Sequence, residues 1–301
     1  MDRLLKTLVY DGQIALTLID STDMVNEAIK IHKLSPLSAA ALGRTMTVST
    51  FMASTLKSEG DKLYVTVKGD GVGGSIVVCG NAELEMRGYI ENPNAELPLK
   101  SNGHLDVGGC VGKNGKITIV KSMGLKEPYS GTANLVTGEI AEDFTSYYAL
   151  SEQTPTAISL GVKIGTDGTC TAAGGVIMQA LPGATDESLF MAEDTILRME
   201  NLSSIIEEKG LDGLSEYFFG KLEFTEFHPE YKCLCSREYI EGLLISMGKD
   251  ELYSIIAERG KIEVNCQFCE KTYTFYKEDV DKILEAAGLI KKDGDKETDA
   301  K

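Results

Sequence analysis

The 301-residue chain is long enough to bury one sizeable core and one or two smaller units. Its formal net charge of -16 argues against nonspecific binding to nucleic acid, because the phosphates would be repelled. No apolar run approaches the ~18 residues of a membrane span, and acids near the N-terminus disfavour an export signal, so we expect a cytoplasmic protein with no membrane partner.

The first elements of the chain predict a strand pair followed by a buried helix. Alternating apolar residues around a central Asp-Gly pair predict two strands at residues 7–20. Ser35 and Pro36 are a favourable N-cap and first helical position for a helix that continues towards Gly60. Because this segment is rich in small residues and methionine, we expect a central helix that packs closely against its neighbours.

The segment GDGVGG at residues 69–74 matches the G-x-G-x-x-G spacing of dinucleotide-binding loops. A dinucleotide site requires this loop to open a helix, whereas Val- and Ile-rich strand sequence follows it here. We therefore interpret the segment as a turn between two strands, and the sequence predicts no nucleotide cofactor.

The remainder of the first half continues with strand and helix signals. Asn114-Gly115 predicts a hairpin turn, residues 138–153 follow a helical period, and two later apolar runs predict a closing hairpin. These elements predict an α+β core domain at residues 1–182. No histidine has a nucleophile motif beside it and no other pattern completes a catalytic set, so hydrolytic chemistry lacks its parts. We expect a protein that is not an enzyme.

In residues 183–230 the spacing of the apolar residues changes to a helical period, and this segment carries much of the negative charge. They hold twelve acids and three bases, and their large apolar residues recur at helical spacing. We therefore predict a helical linker of two or three amphipathic helices, with breaks at Gly210 and Gly213.

The last quarter of the chain contains four of its seven cysteines in two tight pairs. The first pair is Cys233-Leu-Cys235 and the second is Cys266-Gln-Phe-Cys269. Zinc prefers four soft ligands in a tetrahedron, and two short loops that each present two thiolates supply them. The spacing therefore predicts one Zn²⁺ per chain, bound by these four cysteines.

The patterns around the cysteine pairs predict a small domain at residues 231–290. Two short helices precede a strand pair, and a last helix follows it. Residues 291–301 have few apolar side chains and are predicted to be a disordered tail.

Spacing alone leaves two functions open for the four cysteines. Most four-cysteine zinc sites only stabilise a domain. The Cys-x-Cys pair, however, can close a small strained disulfide ring once the metal leaves, as a thiol switch would require. The other three cysteines, Cys79, Cys110 and Cys170, stand alone in apolar or Gly-rich surroundings and are interpreted as core thiols.

Several longer segments occur in order along nearly the whole chain: SPLSAAALGRTMTVSTFMAS, GDGVGG, RGYIENP, EPYSGTANLVTGEIAEDFTSYY, SEQTPTA and AAGGVIMQALPGA. With the two cysteine pairs, they make the sequence similar to the thirty-three-kilodalton heat-shock family, the bacterial redox-regulated holdase chaperones. Several such segments in the right order are far more specific than any one of them.

The resemblance implies a chaperone that responds to oxidative stress. In the family the reduced protein binds one zinc ion through the four thiolates and is inactive. Oxidation by peroxide or hypochlorous acid, together with mild unfolding, releases the zinc and forms two disulfides. These join Cys233 to Cys235 and Cys266 to Cys269. The small domain and the linker then unfold, the protein dimerises, and apolar surface binds unfolding client proteins without ATP. A thiol oxidoreductase and a protein with a purely structural zinc module are the alternatives.

Overall fold

The computed structural model describes residues 1–124 and 127–290, and the chain divides into two compact units. The first unit is Met1–Lys232 and the second begins at Cys233. Sheets and helices occur together in both units, so the predicted α+β class is confirmed. The tail predicted at residues 291–301 lies outside the described residues.

The elements of the first unit follow one another in a mixed order. They are β1 (Arg3–Val9), β2 (Ile14–Asp20), α1 (Thr22–His32), α2 (Pro36–Ala53), β3 (Lys62–Lys68), β4 (Ser75–Asn81), β5 (Glu85–Ile90), α3 (Val107–Val111), β6 (Lys116–Ser122), β7 (Tyr129–Asn134), α4 (Ala141–Tyr147), a π-helical turn (Tyr148–Glu152), β8 (Thr156–Ile164), β9 (Cys170–Ala180), α5 (Asp186–Leu197), α6 (Leu202–Phe219), β10 (Thr225–Phe227) and β11 (Glu230–Tyr231). Within the described ranges, no helix combines the length and the apolar content needed to cross a membrane.

These strands form two sheets. The first sheet has the strand order β10-β1-β2-β9-β8, and the second has the order β11-β5-β4-β3-β6-β7. Neighbouring strands are antiparallel, except that β11 runs parallel to β5. The strand pair predicted at residues 7–20 and the predicted closing hairpin are both confirmed, as β1-β2 and β8-β9.

Helix α2 forms the centre of the first unit and contacts strands of both sheets. Sixteen of its eighteen residues are buried. A Cβ on Gly43 would lie 3.0 Å from the side chain of Val162, so the small residue permits close packing there. The buried hydroxyls of Thr45, Thr47 and Thr50 each donate to the carbonyl four residues earlier, at 2.8 or 2.9 Å. The predicted buried central helix is therefore confirmed.

The GDGVGG segment forms the turn between β3 and β4, as predicted. The amides of Gly71 and Gly73 donate to the carbonyls of Val111 and Cys110, at 3.0 and 2.8 Å. A Cβ on Gly71 would lie 2.3 Å from the Cys110 oxygen, so glycine lets the turn pack against the end of α3. Two amides that a bound phosphate would need are thus used within the protein.

Two details of the sequence prediction are wrong. Helix α2 ends at Ala53 rather than near Gly60, and the hydroxyls of the next two residues bond back to carbonyls of its last turn. The Asn114-Gly115 pair does not join two strands, because helix α3 precedes it and β6 follows it. The Asn114 side chain instead donates to the Asp70 carboxylate at 2.6 Å, which ties this turn to the loop after β3.

The predicted linker, residues 183–230, belongs to the first unit and packs on its first sheet. Buried side chains of β1, β2 and β9 share one apolar cluster with α5 and α6; its members include Leu5, Leu16, Leu18, Val176, Met178, Ala192, Met199, Leu202, Ile206, Leu211 and Leu214. The helical geometry of α6 breaks at Gly210, where φ is 64°, as predicted. The break predicted at Gly213 is absent, since Gly210 is the one non-helical position within this described helix.

Ion pairs supplement these apolar contacts. The Arg3 guanidinium donates to Asp212 at 2.7 Å and to Glu226 at 2.6 Å, and the Lys163 ammonium lies 2.6 Å from Glu207. Some of the acidic residues of the linker are therefore neutralised by cations of the core. Because solvent screens such exposed pairs, the buried apolar side chains carry most of the docking energy.

The second unit contains the elements predicted for residues 231–290. These are α7 (Arg237–Met247), α8 (Lys249–Arg259), β12 (Ile262–Asn265), β13 (Thr272–Phe275) and α9 (Lys277–Ala286), with β12 and β13 antiparallel. The core is small and is built from Ile240, Leu244, Leu252, Ile262, Tyr273, Phe275, Val280, Ile283 and Leu284. So few buried side chains give the unit little apolar stabilisation of its own.

Candidate metal centre

The first cysteine pair lies in the segment that leads into helix α7. Ser236 follows Cys235 directly and caps the helix, its hydroxyl accepting from the Tyr239 amide at 3.1 Å. The cap fixes where the helix begins and thereby fixes the short segment that holds Cys233 and Cys235.

The second pair lies in the turn between β12 and β13. The Cys266 carbonyl accepts from the Glu270 amide at 2.7 Å, and the Cys266 amide donates to Lys271 at 3.0 Å. Glu270 has a φ of 57°, the left-handed conformation that lets the chain reverse after Cys269. The tight turn directs Cys266 and Cys269 to the same point.

The four sulfur atoms come together in one cluster. The Sγ atoms of Cys233 and Cys266 are 3.6 Å apart, those of Cys235 and Cys269 are 3.4 Å apart, and all four lie within 4.8 Å of one another. A metal held tetrahedrally by sulfur at about 2.3 Å separates its ligands by roughly 3.8 Å. All four cysteines are free and partly buried. Both the donor set and its spacing therefore fit a metal ion, and the group can hold one.

The surroundings of the cluster affect the pKa values of three of its thiols in different directions. Partial burial opposes ionisation of Cys235, but hydrogen bonds from Tyr273 and the neighbouring thiols outweigh it and lower its pKa to about 7. Partial burial raises the pKa of Cys233 and of Cys269, and hydrogen bonding among the thiols adds to this. Ionisation is thus favoured at Cys235 and opposed at Cys233 and Cys269, so a cation is needed to hold all four sulfurs as thiolates.

Sequence reasoning missed two residues that support the cluster. The Tyr273 hydroxyl lies 3.2 Å from both the sulfur and the carbonyl oxygen of Cys235. Arg237 stacks 4.2 Å from the centre of the Phe275 ring and donates to the Thr274 carbonyl at 3.1 Å, which ties the start of α7 to β13. The alternation in T-Y-T-F marks Tyr273 as inward-facing, but nothing local in the sequence reveals which atom its hydroxyl reaches.

The other three cysteines are core thiols, as predicted. Cys79, Cys110 and Cys170 lie in the first unit with at most 4% of their surface exposed. Burial raises the pKa of Cys79 and Cys110 to about 11 and that of Cys170 to about 12. Neutral, buried thiols react slowly with oxidants, which separates this group chemically from the cluster.

Comparison with known proteins identifies close relatives over nearly the full chain. The model of the family described as "Hsp33 protein" matches residues 2–276. The 33 kDa chaperonin of Desulforamulus reducens is 44% identical over 287 residues, which are 94% of this chain and 97% of that protein. The 33 kDa chaperonin of Clostridium botulinum strain 657 is 42% identical over 292 residues, which are 95% of this chain and 98% of that protein. The crystal structure of the 33 kDa chaperonin from Thermotoga maritima superposes with a TM-score of 0.85 at 32% sequence identity. The match covers 96% of this chain and 99% of that one.

Proposed function

The chain belongs to the Hsp33 family, and on that basis we propose that it is a redox-regulated chaperone that binds unfolding client proteins without ATP. The observation that carries this proposal is the cluster of four thiols within 4.8 Å in a unit with a small core. Residues 1–182 serve as the core domain, 183–230 as the linker and 231–290 as the redox switch. The protein acts in the cytoplasm by binding and not by catalysis.

Zinc is the metal that this donor set favours. Four thiolates in a tetrahedron suit Zn²⁺, which has no redox chemistry of its own and keeps the sulfurs deprotonated. Its binding free energy of ~10 kcal/mol or more is sufficient to fold a unit of this size. Each cysteine pair that closes to a disulfide gives two electrons to the oxidant and no longer binds the metal. Oxidation therefore removes the main source of the unit's stability.

Release of the linker then exposes apolar surface. Helices α5 and α6 cover buried side chains of β1, β2 and β9, and both faces of this contact are apolar. When the linker leaves, both faces become available to the exposed apolar segments of an unfolding client. Two oxidised chains associate as a homodimer through surface of the same kind.

A client-aggregation assay tests the proposal. A heat-unfolded reporter enzyme is incubated with the reduced, zinc-loaded protein or with the peroxide-oxidised, zinc-free protein, and light scattering is followed. We expect protection only by the oxidised form. A protein that keeps its zinc under peroxide would have a structural metal module, and one that turns over a dithiol substrate would be an oxidoreductase; either result contradicts the proposal.

Oxidation is expected to pair cysteines that are neighbours in sequence, Cys233 with Cys235 and Cys266 with Cys269. In the folded unit the close sulfur contacts join one pair to the other, at 3.4 and 3.6 Å. Pairing between sequence neighbours therefore reports that the cluster opens while it oxidises. Peptide mapping after peroxide treatment measures the pairing, and the buried thiols Cys79, Cys110 and Cys170 serve as internal controls that should stay reduced. A dominant Cys235 to Cys269 disulfide would show oxidation within the folded unit instead.

A further inference from the structure

The four-thiol cluster is asymmetric because of one tyrosine. The Tyr273 hydroxyl is 3.2 Å from the Cys235 sulfur and 3.2 Å from the Cys235 carbonyl oxygen. A hydroxyl has a single proton to donate, so it can serve only one of these acceptors fully at a time. The two equal distances place Tyr273 where it can change acceptor without moving its ring.

The position of this hydroxyl is fixed by packing. Tyr273 is only 5% exposed, belongs to the apolar core of the second unit, and pairs with Val264 across the strands β12 and β13. The Lys271 ammonium lies 5.0 Å from the centre of its ring. In the folded unit the core therefore directs the hydroxyl at Cys235.

We propose that Tyr273 is a positioning residue for the metal centre, donating a hydrogen bond to the Cys235 thiolate when zinc is bound. The inference rests on the proposed function, since it assigns a role within the zinc site. Donation to a metal-bound thiolate holds the sulfur in place and draws electron density from it. Cys235 is thereby stabilised as a ligand and made less reactive towards electrophiles than it would be without the hydroxyl.

Zinc affinity and site-specific reactivity of Tyr273→Phe in the full chain test this role. We expect zinc, measured by competition with a chromogenic chelator, to bind roughly 10- to 100-fold more weakly in the reduced variant. At saturating zinc, iodoacetamide labelling with mass-spectrometric mapping should show faster alkylation of Cys235 relative to Cys266 and Cys269. A site-specific change in reactivity is a result that general loosening of the core would not produce.

Tyr253→Phe is the matched control. Its hydroxyl donates to the Asp281 carboxylate at 2.8 Å in the same unit, so the substitution removes a hydrogen bond of a partly buried tyrosine without altering the Tyr273 contact. The control should bind zinc as tightly as the wild type. Unchanged affinity in Tyr273→Phe, or equal acceleration of alkylation at all four cysteines, would overturn the inference.

The two proposals fail in different ways. A wild-type protein that binds zinc but does not protect clients after oxidation would overturn the chaperone function, while the Tyr273 measurements would stand. A wild-type protein that protects clients and shows no effect of Tyr273→Phe on zinc or on Cys235 would overturn only the role of the tyrosine.

Discussion

Replacing Cys269 with serine is expected to leave the reduced protein without tightly bound zinc and its second unit largely unfolded. A hydroxyl is a poor ligand for this site, and three thiolates cannot complete the tetrahedron. Metal binding of ~10–16 kcal/mol exceeds the few kcal/mol that a small apolar core supplies. Zinc content per chain and amide hydrogen exchange over residues 233–290 measure the two effects, and the core domain at residues 1–182 should keep its protection.

His228→Ala is the control for this substitution. His228 is half-exposed in the first unit, and its Nδ1 atom lies 3.4 Å from the Asp2 carbonyl oxygen. Among the described residues, the metal-ligand cluster consists of the four cysteines and no histidine. The control should therefore retain one zinc per chain. Full zinc retention in Cys269→Ser, or loss of zinc in His228→Ala, would show that the ligand set is different.

The second unit could be predicted well because its signals are local. The two cysteine pairs, the N-cap Ser236 and the alternation through Tyr273 and Phe275 each act over a few residues, and each predicted element is present. The resemblance to the thirty-three-kilodalton heat-shock family, drawn from ordered segments of the sequence, is likewise confirmed.

What the sequence did not predict depends on contacts between distant residues. Arg3 binds Glu226 because β10 pairs with β1 at the edge of the first sheet, and it binds Asp212 on α6; both partners are more than two hundred positions away. The partner of Asn114 is Asp70 in the loop after β3, and the turn that holds Asn114 follows helix α3 and not a strand. Such pairings depend on which strands become neighbours, and the local sequence does not determine this.

The linker supplies the last prediction, since its docking is mainly apolar. Leu214 on α6 has no exposed surface and lies in the cluster shared with β1, β2 and β9. Truncation of a fully buried leucine to alanine costs about 2–5 kcal/mol, more than the ion pairs of the linker contribute. Leu214→Ala is therefore expected to loosen the linker, so that oxidised protein begins to protect clients at a temperature lower by about 5 °C or more.

Leu197→Ala provides the same chemical change at an exposed position of the linker. Leu197 ends α5 and is 72% exposed, so its truncation leaves no cavity and should not shift the onset temperature. The measurement is the temperature at which each oxidised variant first suppresses client aggregation, with zinc release followed in parallel. Because all four ligands lie in the second unit, zinc binding by both reduced variants should match the wild type. An unchanged onset in Leu214→Ala, with faster exchange of the α6 amides, would mean that release of the linker does not limit activation.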